Sequence, residues 1–449
     1  MLEGQEISEV LLSKVLADFD NRFESEYWNA KIITYESVKG IDIESFTQYG
    51  TSEYLNEDGI GYPVLRLNEF DSFFISSPAK YCNLIDGQTY DSLKLKKNDV
   101  LICRTNGNPK YVGKSALVPQ DYDYAFASYL FRVRPNDNIN SATLVTFMNS
   151  KYGRMEIERF SMLGNQANFS PAKFRQISIP LFSKEFNDNI EHIVYKAFEL
   201  SEQSKELYVS AEIQLLEGLG LENWQPQRNN VNIKTIKESF LASERLDAEY
   251  YHQKHYELEQ RLKQCNQMDF LGNICWINDK NVIPKDTEIY KYIELADVKQ
   301  YGEISGCTID FGAKLPTRAR KLVKENQVIV SSVEGSLDSC ALVTKDYDKA
   351  LCSTGFFVIE SDSITSETLL VMLKLKPIQQ LLQRACTGSI MESMTYDTFP
   401  NVLLPIPKDE VQTVVTEKIR KSFALRRESK QLLEQAKKLV EDEIEKQNS

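Results

Sequence analysis

Ala116-Leu117-Val118-Pro119-Gln120-Asp121-Tyr122-Asp123 returns as Ala341-Leu342-Val343-Thr344-Lys345-Asp346-Tyr347-Asp348, 225 positions further along a chain of 449 residues. Outward from there, Phe174-Arg175-Gln176-Ile177-Ser178-Ile179-Pro180-Leu181 pairs with Phe399-Pro400-Asn401-Val402-Leu403-Leu404-Pro405-Ile406 at the same offset. Further on, Ser204-Lys205 meets Ser429-Lys430 and Ala211 meets Ala436. Upstream, Asn98-Asp99-Val100-Leu101-Ile102 recurs as Asn326-Gln327-Val328-Ile329-Val330. Near the start of each half, Arg22-Phe23-Glu24-Ser25-Glu26-Tyr27-Trp28 is echoed by Arg245-Leu246-Asp247-Ala248-Glu249-Tyr250-Tyr251. From residue 116 onward the offset stays at 225 over many points, which chance rarely gives, and the earlier strings recur in the same order, so the halves are duplicates of one unit.

Each unit reads as mixed α/β, of the α+β kind. Short β-rich runs such as Asp99-Val100-Leu101-Ile102-Cys103 and Gln327-Val328-Ile329-Val330 are bounded by Gly, Asn and Pro turns. Helical patterns occupy residues 142–159 and 366–384. Pro180 and Pro405 each end an extended run, and a long helix follows. The expected architecture is two duplicated domains, residues 1–182 and 223–407. Two long antiparallel coiled-coil helices, within residues 183–222 and 408–449, separate them in a pseudo-two-fold arrangement.

The first long helix starts at the N-cap residue Ser183, with Glu185 in its first turn, and stops at Gly218-Leu219-Gly220. About 34 residues at ~1.5 Å each make a rod on the order of 50 Å. Its small and apolar positions are Ile190, Ile193, Ala197, Leu200, Ser204, Leu207 and Ala211, in steps of three and four. The matching set is Val415, Lys418, Ser422, Leu425, Ser429, Leu432 and Ala436, in which Lys418 is the poor fit. Small residues at alternate positions would let two backbones approach closely. The competing reading packs each helix on its own domain alone.

Composition sets bounds. A hydrophobic content of 42% and a charged content of 26% are those of a globular chain. No apolar run reaches the ~18 residues of a membrane span. The opening Met1-Leu2-Glu3-Gly4-Gln5-Glu6 is acidic and lacks the apolar core of a secretory signal, so the cytoplasm is the expected location. Eight scattered cysteines form no C-x-x-C pair, which points to reduced core thiols. A net charge of −12 does not by itself suggest nucleic acid, whose binders gain affinity by releasing counterions to cationic side chains.

In its ordered duplication the chain resembles the specificity subunits of Type I restriction-modification systems. The strings that carry the resemblance are Ile177-Ser178-Ile179-Pro180-Leu181, the helix around Ser204-Lys205-Glu206-Leu207-Tyr208, and Arg245-Leu246-Asp247-Ala248-Glu249-Tyr250-Tyr251. The resemblance implies two target-recognition domains, each reading one half of a bipartite DNA site. It also implies helices that set the unread spacer and dock two adenine-N6 methyltransferase subunits, with restriction-translocase subunits in the full complex. No cofactor is expected on this chain; S-adenosylmethionine, ATP and Mg would sit on the partners. Arg22, Tyr27, Arg245 and Tyr250 are candidates for partner docking.

Base reading needs hydrogen-bonding side chains together with cations that hold phosphates. In the first half, residues 104–114 follow a strand and offer Arg104, Thr105, Asn106, Asn108, Lys110 and Lys114. A solvated hairpin is the plain alternative. The equivalent stretch 332–339 is acidic, so the second half offers Thr317, Arg318, Arg320 and Lys321 instead. Gln166, Asn168 and Ser389 occupy matching polar segments and complete the candidate set.

Catalytic chemistry is not visible. Asn108-Pro109-Lys110-Tyr111 is similar to the Asn-Pro-Pro-Tyr motif of adenine methyltransferases, but Lys110 replaces the second proline and no glycine-rich cofactor turn precedes it. A free-standing methyltransferase is therefore disfavoured. No Gly-Lys-Ser/Thr phosphate loop exists, and Asp286, Glu288 and Lys291 make no convincing nuclease core. His252 and His255 have helical spacing but no third ligand, so they are expected at the surface rather than on a metal. A coiled-coil scaffold without a nucleic-acid role would explain the helices but not two large duplicated domains.

Overall fold

A computed structural model describes residues 9–17, 36–161, 167–226, 231–388 and 392–447. The chain divides into two compact units, Met1–Ser201 with Arg427–Ser449, and Glu202–Arg426. The long helices Lys184–Gly218 and Asp409–Gln447 therefore each contribute one stretch to each unit.

In the first unit, six strands pair in the order Glu44–Tyr49, Leu130–Pro135, Val100–Cys103, Ser115–Leu117, Phe74–Ile75 and Phe70–Asp71. A three-stranded sheet joins Lys80–Cys82, Tyr62–Leu65 and Ala125–Phe126, and Ser37–Lys39 pairs with Ser178–Pro180. Val100–Cys103 is buried throughout because it has a partner strand on both sides. This is why it reads as a continuous apolar run rather than an alternating one. Helix Ser141–Asn149 is also buried along nearly its whole length, and the Asn140 side chain caps it by accepting from the Thr143 N–H at 2.8 Å.

The second unit repeats these parts. Gln267–Phe270 pairs with Leu403–Ile406. One sheet orders Trp276–Ile277, Phe356–Glu360, Val328–Ser331 and Cys340–Leu342; another orders Thr308–Phe311, Ile289–Ile293, Leu351–Ser353 and Ala319–Leu322. The duplication extends to single hydrogen bonds. Asn98 and Asn326 both take left-handed backbone, with φ of 70° and 69°, a conformation asparagine tolerates better than most residues. After each, a side chain reaches back to close the turn: Asp99 Oδ2 accepts from Lys96 N–H at 2.8 Å, and Gln327 Oε1 from Lys324 N–H at 2.9 Å. The Asn98 N–H then bonds the Val118 carbonyl and the Asn326 N–H the Val343 carbonyl, each at 2.9 Å.

The polar group under this turn differs between the halves. Asp99 is fully buried and sits 3.1 Å from the Arg132 guanidinium, which is itself almost wholly enclosed. Arg134 bonds the same carboxylate. In the second unit Gln327 Nε2 donates to Glu360 at 2.9 Å instead. A buried charge is tolerated only with such a partner.

The first long helix begins and ends as expected. Ser183 Oγ accepts from the Phe186 N–H at 3.1 Å, and Gly220 takes φ +70° while the Leu221 N–H bonds the Leu216 carbonyl. In both units the two helix stretches pack antiparallel. In the first, the Ser429 hydroxyl donates to the Ala197 carbonyl at 2.7 Å and the Gln447 amide reaches Leu181 at 3.4 Å. In the second, the Ser422 hydroxyl donates to the Ser204 carbonyl at 2.7 Å, Lys418 Nζ lies 2.9 Å from Ser210 Oγ, and Gly218 lies against Val411.

The buried seam differs from the expected one at alternate positions. On the second helix it runs through Val415, Ile419, Ser422, Arg426, Ser429, Leu433, Ala436 and Val440, a strict three-four alternation. Ile419 thus takes the place expected of Lys418, Arg426 that of Leu425, and Leu433 that of Leu432; Leu425 and Leu432 are half-buried. On the first helix Ile190, Ile193, Ala197, Leu200, Ser204 and Ala211 are buried, as are Val194 and Leu215, while Tyr208 displaces the half-buried Leu207. The helices also join the domain cores. Ile190, Val194, Leu433, Ala436, Val440 and Ile444 share one cluster with the first sheet, and Tyr208, Leu215, Val415 and Ile419 share another with the second. The helices therefore pair with one another and also pack on the domain cores, so the reading of packing alone does not hold.

All eight cysteines are free, and six are buried; burial pushes the Cys103 thiol up to about 11 and those of Cys275 and Cys340 to about 12. Such thiols are inert packing groups. Among the described residues no helix is long and apolar enough to cross a membrane.

Candidate nucleic-acid interface

In the first unit, strand Val100–Cys103 delivers residues 104–111 to the surface. The backbone of Arg104 is fixed on both sides: its N–H bonds the Tyr129 carbonyl at 2.8 Å and its carbonyl takes the Phe169 N–H at 2.7 Å. Thr105 then bridges Asn168 antiparallel. The Arg104 guanidinium lies 5.3 Å from the ring of exposed Tyr49, and its Nε is buried without a hydrogen-bond partner. Stacking on an aromatic face orients a guanidinium while leaving its plane able to donate.

The rest of the loop is held by its own side chains. Asn106 Oδ1 accepts from the Asn108 N–H at 2.8 Å, and Asn108 Oδ1 from the Lys110 N–H at 3.1 Å. These Asx turns lead into the 3-10 turn Pro109–Tyr111. From beneath, Arg154 donates to the Val112 carbonyl at 2.8 Å and the Lys110 carbonyl at 3.4 Å. Lys110 and Tyr111 are left exposed, and Lys114 is half-buried at the far end. Asn168 keeps a buried Oδ1 without a partner, while its carbonyl takes Lys173 Nζ at 2.9 Å. Arg104, Thr105 and Asn168 are thus brought together, and Asn106, Asn108 and Lys110 extend from them. Gln166 lies outside the described residues. Tyr49 was missed by the sequence reading, because Glu44–Tyr49 shows no two-residue alternation, in sequence or in burial, that would have marked it.

The second unit builds the same scaffold with other side chains. Val333 bridges Ser393 as Thr105 bridges Asn168. Glu334 stands in this loop and accepts from Gln383 Nε2 at 2.7 Å, so no cation is presented there. Thr317 and Arg318 are exposed just before strand Ala319–Leu322, and half-buried Arg320 donates from Nε to the Thr317 carbonyl at 2.8 Å. Lys321 is only 3% exposed, with Nζ 3.4 Å from the Asn278 carbonyl and 4.9 Å over the Tyr396 ring. The two-residue period of the strand turns Ala319 and Lys321 inward together, which withdraws Lys321 from the phosphate contacts. Ser389 lies outside the described residues.

Of the docking candidates, Arg22 and Tyr27 lie outside the described residues. The Tyr250 ring is held between two guanidinium groups, with Arg245 at 4.4 Å and Arg384 at 4.6 Å from its centroid. Arg245 pairs with Asp247 at 2.7 Å and Arg384 with Glu259 at 2.6 Å. This cluster walls a cleft of about 690 Å³ that also includes Phe270, Thr398 and Asn401. The string around Arg245 and Tyr250 is therefore an internal clamp in the second unit. His255 is not at the surface: it is 1% exposed, its Nε2 lies 3.3 Å from Glu249, and burial pulls its pKa down to about 4. Among the described residues no cluster of side chains suits a metal ion.

No protein-family model matches the chain. Over 133 residues the chain is 29% identical to the Type I restriction enzyme StySPI specificity subunit of Salmonella potsdam, a stretch covering 28% of this chain and 27% of that protein. The same figures hold for the Type I restriction enzyme EcoKI specificity subunit of Escherichia coli. The match thus spans about a quarter of the length of these relatives. Among solved structures, the S subunit of a Type I restriction-modification system from M. genitalium aligns with 93% of this chain and 96% of its own, at a TM-score of 0.40 and 11% identity. The HsdS subunit from Thermoanaerobacter tengcongensis aligns with 92% and 96%, at a TM-score of 0.29 and 15% identity.

Proposed function

We propose that this chain is the DNA specificity subunit of a Type I restriction-modification complex, a reader without a reaction of its own. What carries the reading is the construction of one α/β unit twice, down to the paired Asn98 and Asn326 turns, in a chain that resembles Type I specificity subunits in sequence. Two such units with different surface loops suit two different half-sites. The first offers Arg104, Lys110 and neighbouring amides, and the second Thr317 and Arg318. The long helices would set the unread spacer between half-sites and dock methyltransferase subunits. S-adenosylmethionine, ATP and Mg would belong to the methyltransferase and restriction partners.

The net charge of −12 fits this division of labour, because catalytic partners would supply part of the phosphate grip. A direct test is electrophoretic retention of a random duplex pool by the chain together with the methyltransferase subunit of its system. Enrichment of a sequence with two fixed tracts supports the reading. Retention indistinguishable from that of the methyltransferase alone removes it and leaves the scaffold reading.

A further inference from the structure

The opening segments of both units expose aliphatic side chains, and in the second the amphipathic pattern is inside out. In the second unit, residues 231–251 are anchored by polar groups. Thr235 donates from N–H and Oγ1 to Glu238 at 3.0 and 2.8 Å, and Ser239 Oγ donates to the Thr235 carbonyl at 2.8 Å. Asn232 Nδ2 reaches the Tyr251 carbonyl at 2.6 Å, and Arg245 clasps Asp247. The aliphatic side chains point the other way: Ile233 is 89% exposed, Leu241 and Leu246 72% each, and Ile236 70%. Phe240 is exposed beside them. Water should select the opposite arrangement, with aliphatic groups covered and polar groups solvated.

The first unit also exposes leucines at the matching place, although Val15 of the same helix is buried. Helix Leu12–Ala17 precedes Arg22 as helix Phe240–Ser243 precedes Arg245. Leu11, Leu12 and Leu16 are each more than half exposed. One exposed leucine means little, but a run of them, ordered and rimmed by polar groups, marks a surface that another molecule covers. Charge decides what kind of molecule. Residues 231–251 hold Lys234, Lys237 and Arg245 against Glu238, Glu244, Asp247 and Glu249, so the strip does not attract phosphates. An aliphatic protein surface suits it, and recurrence in both duplicates calls for the same surface twice.

We propose that residues 9–17 and 233–246 are two equivalent docking strips, each covered by one copy of the same partner protein through an aliphatic groove. Resting on the specificity-subunit reading, the partner is the methyltransferase subunit. The strips lie outside the long helices, so they add a contact that the helices do not provide.

The test uses the full chain, the methyltransferase subunit of its system, and native mass spectrometry. Two variants carry serine substitutions, L11S/L12S/L16S in one strip and I236S/L241S/L246S in the other; a third combines them. All six positions are solvent-facing, so thermal melting of the free chain is expected to stay unchanged. The unaltered chain should bind two methyltransferase copies, each single-strip variant should hold one of them about tenfold or more weakly, and the combined variant should hold both that weakly. Two copies retained by the combined variant with unchanged affinity overturn the proposal. So does an unaltered chain that pairs with itself through the strips. Sequence-selective DNA retention by a complex whose strips prove dispensable would sink the docking idea alone, whereas no methyltransferase binding by the unaltered chain would sink the specificity-subunit reading with it.

Discussion

Arg104 stands where the account is most exposed to test at the level of single side chains. Its backbone is fixed by Tyr129 and Phe169 and its guanidinium rests on Tyr49, so little ordering remains when it meets a ligand. Replacing Arg104 and Lys110 by Ala should weaken duplex binding or relax one half of the target, by about 1–3 kcal/mol if Arg104 reads a guanine edge. Binding and methylation patterns identical to the unaltered chain would remove this loop from the interface. His255 gives a pH prediction for the second unit. Its folded pKa, about 4, lies below its ordinary value of 6.5 because it is buried near Lys254 and Arg384. As pH falls, the unfolded chain takes up this proton first. Stability is therefore full above about pH 6.5 and declines on the order of 3 kcal/mol by the time pH reaches the folded value. Urea unfolding of the second unit at pH 7 and pH 5 reads this directly, and His255→Gln should flatten the difference. A slope unchanged in that variant would assign the acid sensitivity elsewhere. Polarity made Lys321 look like a phosphate contact, yet its strand register buries it. Residue type was legible there, but orientation depends on which strand face meets the core.

At the level of elements, the helices show what a periodic pattern reveals and what it blurs. The small positions Ala197, Ser204, Ala211, Ser422, Ser429 and Ala436 were readable, and all are buried. The intervening positions were each read one residue early on the second helix, where Ile419, Arg426 and Leu433 face inward. Those positions were carried over at the 225-residue offset from Ile193, Leu200 and Leu207, whereas the second helix turns the next residue inward and leaves Leu425 and Leu432 on the flank. Arg426 enters the seam because Glu303 at 2.9 Å and the Tyr301 ring receive it, a tertiary compensation that no local pattern announces. Enlarging a small seam residue should be costly: Ala436→Leu is expected to lower stability by about 1–3 kcal/mol through overpacking. Leu432→Ala, on the flank, should cost clearly less, and calorimetry of the two variants ranks them. Equal costs would place Leu432 in the seam after all. Adding one heptad to both helices should lengthen the unread spacer of the target, and an unaltered spacer would end the idea that these helices measure distance.

For the whole molecule, the duplication was the most legible feature, because it depends on register rather than on the conformation of any one stretch. Strand pairing, the buried helix Ser141–Asn149 and its counterpart Ser366–Lys374 follow the repeat closely. Loop chemistry does not, since residues 104–114 and 332–339 diverge on a shared scaffold. That contrast, constant frame and variable loops, is the reason for assigning each unit its own half-site. Co-expression with the methyltransferase subunit in a host lacking adenine methylation, followed by mapping of every N6-methyladenine, tests the assignment most directly. The account predicts one motif made of two specified tracts divided by a spacer of fixed length and arbitrary sequence. Methylation confined to a single uninterrupted tract, or none above the empty host, would contradict it.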